Sequence, residues 1–238
     1  MSPVPKRIDE YFQAAHELYA KVNPVLQEGD IIFRRGHLRL LGGLVNYSQL
    51  LSWWAESPFA HAGIVLQQVD DTFVVVDSGP YGIKRVFLID WLIAGPENVV
   101  VKRIRPADRD KIPQLLAAVR DLVERDVLHD DKYITGDDRF YCTEIVDHCF
   151  REIGLPLAPK IAMRDMPNIH RWDLRGLFEI IAIVAGLDLS HEVAIAGNEE
   201  IGMYSSPVLV EVLNLLPDKY RHPPFALPRA RPEPFNRP

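Results

Sequence analysis

A chain of 238 residues and 27.1 kDa has room for one domain of ordinary size with a decorated edge, and two independent cores would be cramped. A hydrophobic content of 47% and a charged content of 25% exclude an intrinsically disordered or fibrous chain. The net charge of −6, with Lys and Arg scattered rather than clustered, argues against a nucleic-acid surface and for small or peptide-like partners.

The chain opens Met1-Ser2-Pro3-Val4-Pro5-Lys6-Arg7, without the apolar stretch of a secretory signal, so a cytoplasmic location is expected. From Arg7 to Val22 the apolar residues Ile8, Tyr11, Phe12, Ala15, Leu18, Tyr19 and Val22 recur at helical spacing, and Asn23-Pro24 ends the run. The turn Gly29-Asp30 leads into Ile31-Ile32-Phe33, a short β-rich run that fits a buried strand, with Asp30 as a turn and strand-start residue. His37 to Phe59 is expected to form a loop with one or two short helices.

Beyond Pro58 the pattern predicts an antiparallel meander: Ala62 to Leu66, Thr72 to Asp77 after the Asp70-Asp71 turn, and Ile83 to Val86 after Gly79-Pro80. A strand over Asn98 to Ile104 and a helix over Asp110 to Val127 follow, with Pro113 in the first turn of that helix. A polar loop, His129 to Arg139, precedes a helix from Cys142 to Ile153 that stops at Gly154. Its acidic residues lack the alternating spacing of a calcium loop. Further helices are expected over Leu174 to about Ala185 and near Val208 to Leu216, and then a proline-rich end. The order of elements predicts an α+β domain, with residues 1–154 as the core and 155–238 as a helical extension and tail packed on it. The longest dense apolar stretch, Ile180 to Leu187, falls well short of the roughly 18 residues needed to span a bilayer. For the 174–185 helix core packing is the simplest account, and contact with a membrane surface or within a dimer is left open.

Cys142 and Cys149 lie seven apart on one predicted helix. An internal disulfide is therefore implausible, and a cysteine-based zinc site has too few ligands, so free thiols and no metal are expected. Cys142 falls in the first helical turn, where unpaired N–H groups and the helix dipole favour an attacking thiolate and can also hold an oxyanion. Cys149, among Ile145, Val146 and Phe150, is expected in the core. A base is required, and His61, at the start of its strand, is better framed for this than any other histidine. Asp77, at the end of the next strand, is the expected orienting partner, although capping of the Ser78-Gly79-Pro80 turn also accounts for it. Tyr141 is a candidate to donate to an oxyanion or line the pocket, with a core aromatic as the competing account. Trp53-Trp54 stand where they would wall a cleft.

Gly29-Asp30-Ile31-Ile32-Phe33-Arg34, His61-Ala62-Gly63-Ile64-Val65 and Tyr141-Cys142-Thr143-Glu144-Ile145-Val146 resemble the circularly permuted NlpC-type, papain-like cysteine hydrolases of the YiiX/YaeF group. The resemblance implies a papain-like α+β core in which antiparallel strands pack on helices and the histidine strand precedes the cysteine helix. It also implies Cys142 as nucleophile, His61 as base and Asp77 as orienter, with no cofactor. It reaches two substrate classes, cell-wall peptides for NlpC-type enzymes and lipid esters for relatives of the lecithin retinol acyltransferase type. A peptide or other small amide substrate is the expectation, with lipid ester hydrolysis or acyl transfer, or a non-catalytic ligand-binding role, as alternatives.

Overall fold

Ile31-Ile32-Phe33, Ile64-Val65-Leu66 and Val74-Val75-Val76 are apolar without alternation, the pattern of strands covered on both faces. The structure, a computed structural model, describes residues 8–35, 39–40, 45–79, 82–96, 98–130, 133–134, 138–168 and 186–217, and shows that covering. Six antiparallel strands form one sheet: β1 (Ile31–Arg34), β4 (His61–Val69), β5 (Thr72–Gly79), β6 (Gly82–Phe87), β7 (Val100–Ile104) and β12 (Leu209–Asn214), in the order β12-β7-β1-β4-β5-β6. Between them run two-residue strands, β2 (Arg39–Leu40) with β3 (Val45–Asn46), β8 (Leu128–His129) with β9 (Arg139–Phe140), and β10 (Ile161–Ala162) with β11 (Glu192–Val193).

Alternate residues of each strand feed different cores. Ile31, Phe33, Ile64, Leu66, Val76 and Val100 face helices α4 (Ile112–Glu124) and α5 (Cys142–Glu152). Ile32, Val65, Val75, Val99 and Val101 face helices α1 (Ile8–Val22) and α3 (Leu88–Ile93). A third cluster joins Trp54, at the end of α2 (Tyr47–Trp54), to Tyr141, Met163, Met166 and Val193. The arrangement is the expected α+β architecture, an open antiparallel sheet between helical layers. At the entry to β1 the fully buried Asp30 receives Arg103 through both carboxylate oxygens, at 2.7 and 2.8 Å, and also accepts the Gln27 N–H. The turn is thereby locked to β7, consistent with a structural Asp30.

Three expectations need correction. Val208 to Leu216 is a strand rather than a helix, because β12 extends the main sheet by pairing with β7, Leu209 opposite Ile104. Leu88–Ile93 forms a six-residue helix that the sequence reading leaves out, too short to display a period. The polar 129–139 loop is closed at its ends by the parallel β8–β9 pair. The predicted 174–185 helix and the proline-rich end lie outside the described residues.

Gly63 on β4 has no room for a side chain. A Cβ there would stand 2.6 Å from Val75 Cγ1, 3.1 Å from the Val76 carbonyl oxygen and 3.4 Å from Trp91 Nε1. Gly63→Ala is expected to destabilise the protein by about 1–3 kcal/mol through overpacking, read as a lower urea midpoint. A change below about 0.5 kcal/mol would show that the strands separate easily here.

Candidate active site

Helix α5 begins at Cys142, with Tyr141 in extended conformation as its N-cap. The first helical bond runs from the Ile145 N–H to the Tyr141 carbonyl, so the amides of Cys142, Thr143 and Glu144 have no acceptor within the helix. The partly exposed Cys142 sulfur lies 3.8 Å from the carbonyl oxygen of Ala60, the residue before His61. The fold thus brings the start of α5 against the start of β4. Cys149, one face inward, is fully buried, and that burial pushes its thiol up to about 12.

His61 and Asp77 meet across β4 and β5. Nε2 lies 2.9 Å from Asp77 Oδ2 and 2.8 Å from Oδ1, and the two side chains are only 14% and 15% exposed. The hydrogen bond joins Nε2 to Oδ2, while Oδ1, close by at 2.8 Å, makes none, and Nδ1 is the ring nitrogen not committed to Asp77. Burial would lower the pKa of this imidazole, but the Asp77 charge and that of Cys142 outweigh burial and raise it to about 9, against an opposing contribution from Arg34.

Arg34 and Trp91 are absent from the sequence-based candidates. Arg34 is directly opposite His61 in the β1–β4 register and 5% exposed. Its guanidinium sits 4.5 Å above the Trp91 ring, and Nη1 donates to the Ala94 carbonyl at 3.2 Å. Burial lowers its pKa while Asp77 and Cys142 raise it. The His61 ring lies 5.9 Å from the same Trp91 ring, at a 30° tilt. A buried cation opposite a strand-start histidine is the signal available in the sequence, and it becomes visible only once the register is known.

Tyr141 is 2% exposed, and its hydroxyl accepts the Ala194 N–H at 2.8 Å while Thr143 Oγ1 donates to the Ala194 carbonyl at 2.7 Å. The two neighbours of Cys142 therefore clamp one residue of the 193–196 segment. Trp54 is fully buried behind this region, and the pocket beside Cys142 is walled from that side by Leu51 and Ala55.

A helix-borne thiol set against a strand-borne imidazole is the working arrangement of papain-like cysteine hydrolases, here with the strand first in the chain. The model of the permuted papain-like amidase family, YaeF/YiiX, C92, matches residues 25–167. The chain belongs to that family, and with it to the cysteine hydrolases of amide bonds. The crystal structure of the metalloprotein yiiX from Escherichia coli O157:H7 is similar in fold, with a TM-score of 0.64 at 18% identity, covering 81% of this chain and 99% of that one. No curated protein matches the chain.

The raised His61 pKa has a consequence for stability. Protonated His61 is favoured by the fold over the unfolded chain, whose imidazole titrates near 6.5. The contribution is complete below about pH 6.5 and is lost as pH rises through about 9. Unfolding free energy is expected to fall by up to ~3 kcal/mol between pH 6 and pH 10 from this group, and Asp77→Asn should flatten that slope. Equal slopes for both proteins in urea titrations would show that the pair is not coupled to folding.

Proposed function

We propose that Cys142, His61 and Asp77 hydrolyse amide bonds through a thioester. The observation that carries this is the Asp77 carboxylate holding His61 by Nε2 beside the start of the cysteine helix. Membership of an amidase family supports it. With its pKa near 9, His61 holds a proton at neutral pH, and the sulfur beside it reacts as thiolate. Sulfur attacks the amide carbon, and the Cys142 N–H, unpaired in the helix, faces the developing oxyanion. The C–N bond then breaks, and the imidazolium gives its proton to the leaving amine. Neutral His61 next takes a proton from water as the hydroxyl attacks the thioester carbon. The acid leaves and the sulfur is released as thiolate, with His61 protonated again. Asp77 holds the ring through both halves. Tyr141 serves as a pocket wall, its hydroxyl held by the Ala194 amide.

The similar Escherichia coli protein is described as a metalloprotein. Among the described residues of this chain, no group of three or more His, Cys, Asp or Glu side chains is placed to hold a metal ion. The donor set does not fit one, and each step above uses side chains and water. No described helix is long and apolar enough to cross a membrane.

Turnover of chromogenic amides is expected to disappear in Cys142→Ser, and iodoacetamide should label Cys142 in preference to the buried Cys149. The rate should fall on the alkaline side with an apparent pKa near 9, as His61 loses the proton that the leaving amine needs. Asp77→Asn should move that limb to lower pH and reduce kcat/KM by roughly 10²–10⁴-fold. Full activity in Cys142→Ser, or an unmoved limb in Asp77→Asn, would overturn the assignment.

A further inference from the structure

We infer that residues 194–198 tie the two halves of the site together, and that Ser57 and Thr143 are positioning residues that set the Cys142 sulfur against the His61 ring through this tie. The inference rests on the amidase reading above and names what holds its geometry.

The apolar contacts of α5 with the sheet begin at Ile145, so the first turn, which carries Cys142, depends on its hydrogen bonds. Two of them run to one residue. Thr143 Oγ1 donates to the Ala194 carbonyl at 2.7 Å, and the Tyr141 hydroxyl accepts the Ala194 N–H at 2.8 Å. The other half of the site, His61, follows a turn in which Glu56 has a φ of 48°. The buried Ser57 hydroxyl is used twice there: it accepts the Phe59 N–H at 3.0 Å and donates to the Gly197 carbonyl. Asn198 Nδ2 adds a bond to the Glu56 carbonyl at 3.1 Å. The helix start and the lead-in to the histidine strand are thus fastened to Ala194 at one end and to Gly197 and Asn198 at the other.

The segment between these anchors is stiff. The Ile195 and Ala196 carbonyls accept the Met203 and Tyr204 N–H groups at 3.1 and 2.9 Å. Asn198 closes the turn that follows, its Oδ1 accepting the N–H groups of Glu200 and Ile201. Gly197 and Gly202 flank that turn at φ of 82° and 80°, and a Cβ on Gly202 would stand 2.6 Å from Gly197 Cα. Tyr204 secures the returning chain, its ring 5.1 Å from Phe59 and 6.0 Å from Phe33. A displacement at Ala194 is therefore passed to the turn before His61 instead of being absorbed on the way. A thiol and an imidazole exchange a proton only within hydrogen-bond reach, and misplacement by about 1 Å can cost about 10²-fold in rate.

The test compares full-length wild type with Ser57→Ala, Thr143→Val, Thr143→Ser and the double variant Ser57→Ala/Thr143→Val. Each is measured for kcat and KM on a p-nitroanilide, for the rate of Cys142 alkylation by iodoacetamide at pH 7, and for its urea midpoint, with rates counted per folded protein. The expected result is a kcat about 10–100-fold lower in Ser57→Ala and in Thr143→Val, with KM changed less than about twofold. Alkylation of Cys142 should slow in both, and Thr143→Ser, which keeps the hydroxyl, should recover kcat and alkylation. Because both anchors act through one segment, the double variant should lose little more kcat than either single variant, although its urea midpoint falls further. Wild-type kcat and alkylation in Ser57→Ala, or kcat losses that multiply in the double variant, would overturn the tie and leave the amidase reading standing. Should one single variant fail to fold, the other decides, with Thr143→Ser or Ser57→Thr as its control. Slowed alkylation in both single variants without amide turnover by the wild type would support the tie and overturn the amidase reading.

Discussion

Asp77 reaches His61 because β4 carries one more residue than β5 between Val65 and Gln67. Val65 pairs with Val75 and Gln67 with Val74, so Leu66 is the extra residue of a β-bulge. On the site side of the bulge Ile64 pairs with Val76, and the same register sets Gly63 opposite Asp77. His61, Gly63, Val65, Val75 and Asp77 then share a face of the sheet, the face on which Val65 and Val75 meet Trp91. Had the register of Gln67 and Val74 continued, Asp77 would have stood opposite Ile64 and pointed into the aliphatic core against α4 and α5. There it would have been a buried carboxylate without a partner, and His61 would have lost its orienting group.

What gathers on that face sets the charge of the site. His61 meets the Asp77 carboxylate and lies 5.9 Å from the Trp91 ring, and the same ring carries the Arg34 guanidinium. Arg34 donates to Ala94, so it acts on the site through its field while Asp77 holds His61 through Oδ2. Its positive charge offsets part of the stabilisation that Asp77 and Cys142 give to the imidazolium. A Cβ at position 63 would collide with Val75 Cγ1 at 2.6 Å and only touch Trp91 Nε1 at 3.4 Å, so a side chain there would disturb the β4–β5 packing beside the His61–Asp77 pair before it reached the ring.

Much of this was legible in the amino-acid order. The buried runs of β1, β4 and β5, the cysteine at a helix start and the histidine at a strand start are local patterns, and each is where the pattern puts it. Arg34 and Trp91 were not legible because their relation to His61 depends on strand register and on a six-residue helix. The bulge was hidden for the same reason, since Gln67-Gln68 looks like an ordinary polar end of a strand. Val208 to Leu216 failed differently. Its dense apolar content suits either a helix or a strand, and pairing with β7 more than a hundred positions upstream decides the matter (Leu209 with Ile104). The β-branched Val208, Val210 and Val212 were the local hint.

Helix α5 shows how one element divides its work. Its first turn presents Cys142 at the edge of the pocket, while Ile145, Val146, Cys149 and Phe150 bury the rest against the sheet. Two cysteines two turns apart thus have different chemical environments without any difference in the residue itself. The flanking Tyr141 and Thr143 extend the same helix start toward the C-terminal part of the chain by holding Ala194. The matched family segment ends at residue 167, whereas Val193 and Ile195, which wall the pocket, lie beyond it. The chain contributes its proposed chemistry from the family segment and part of the pocket wall beside Cys142 from outside it. Residues 193–196 therefore shape the space beside the sulfur through their clamp on the helix start, while Cys142, His61 and Asp77 come from the family segment.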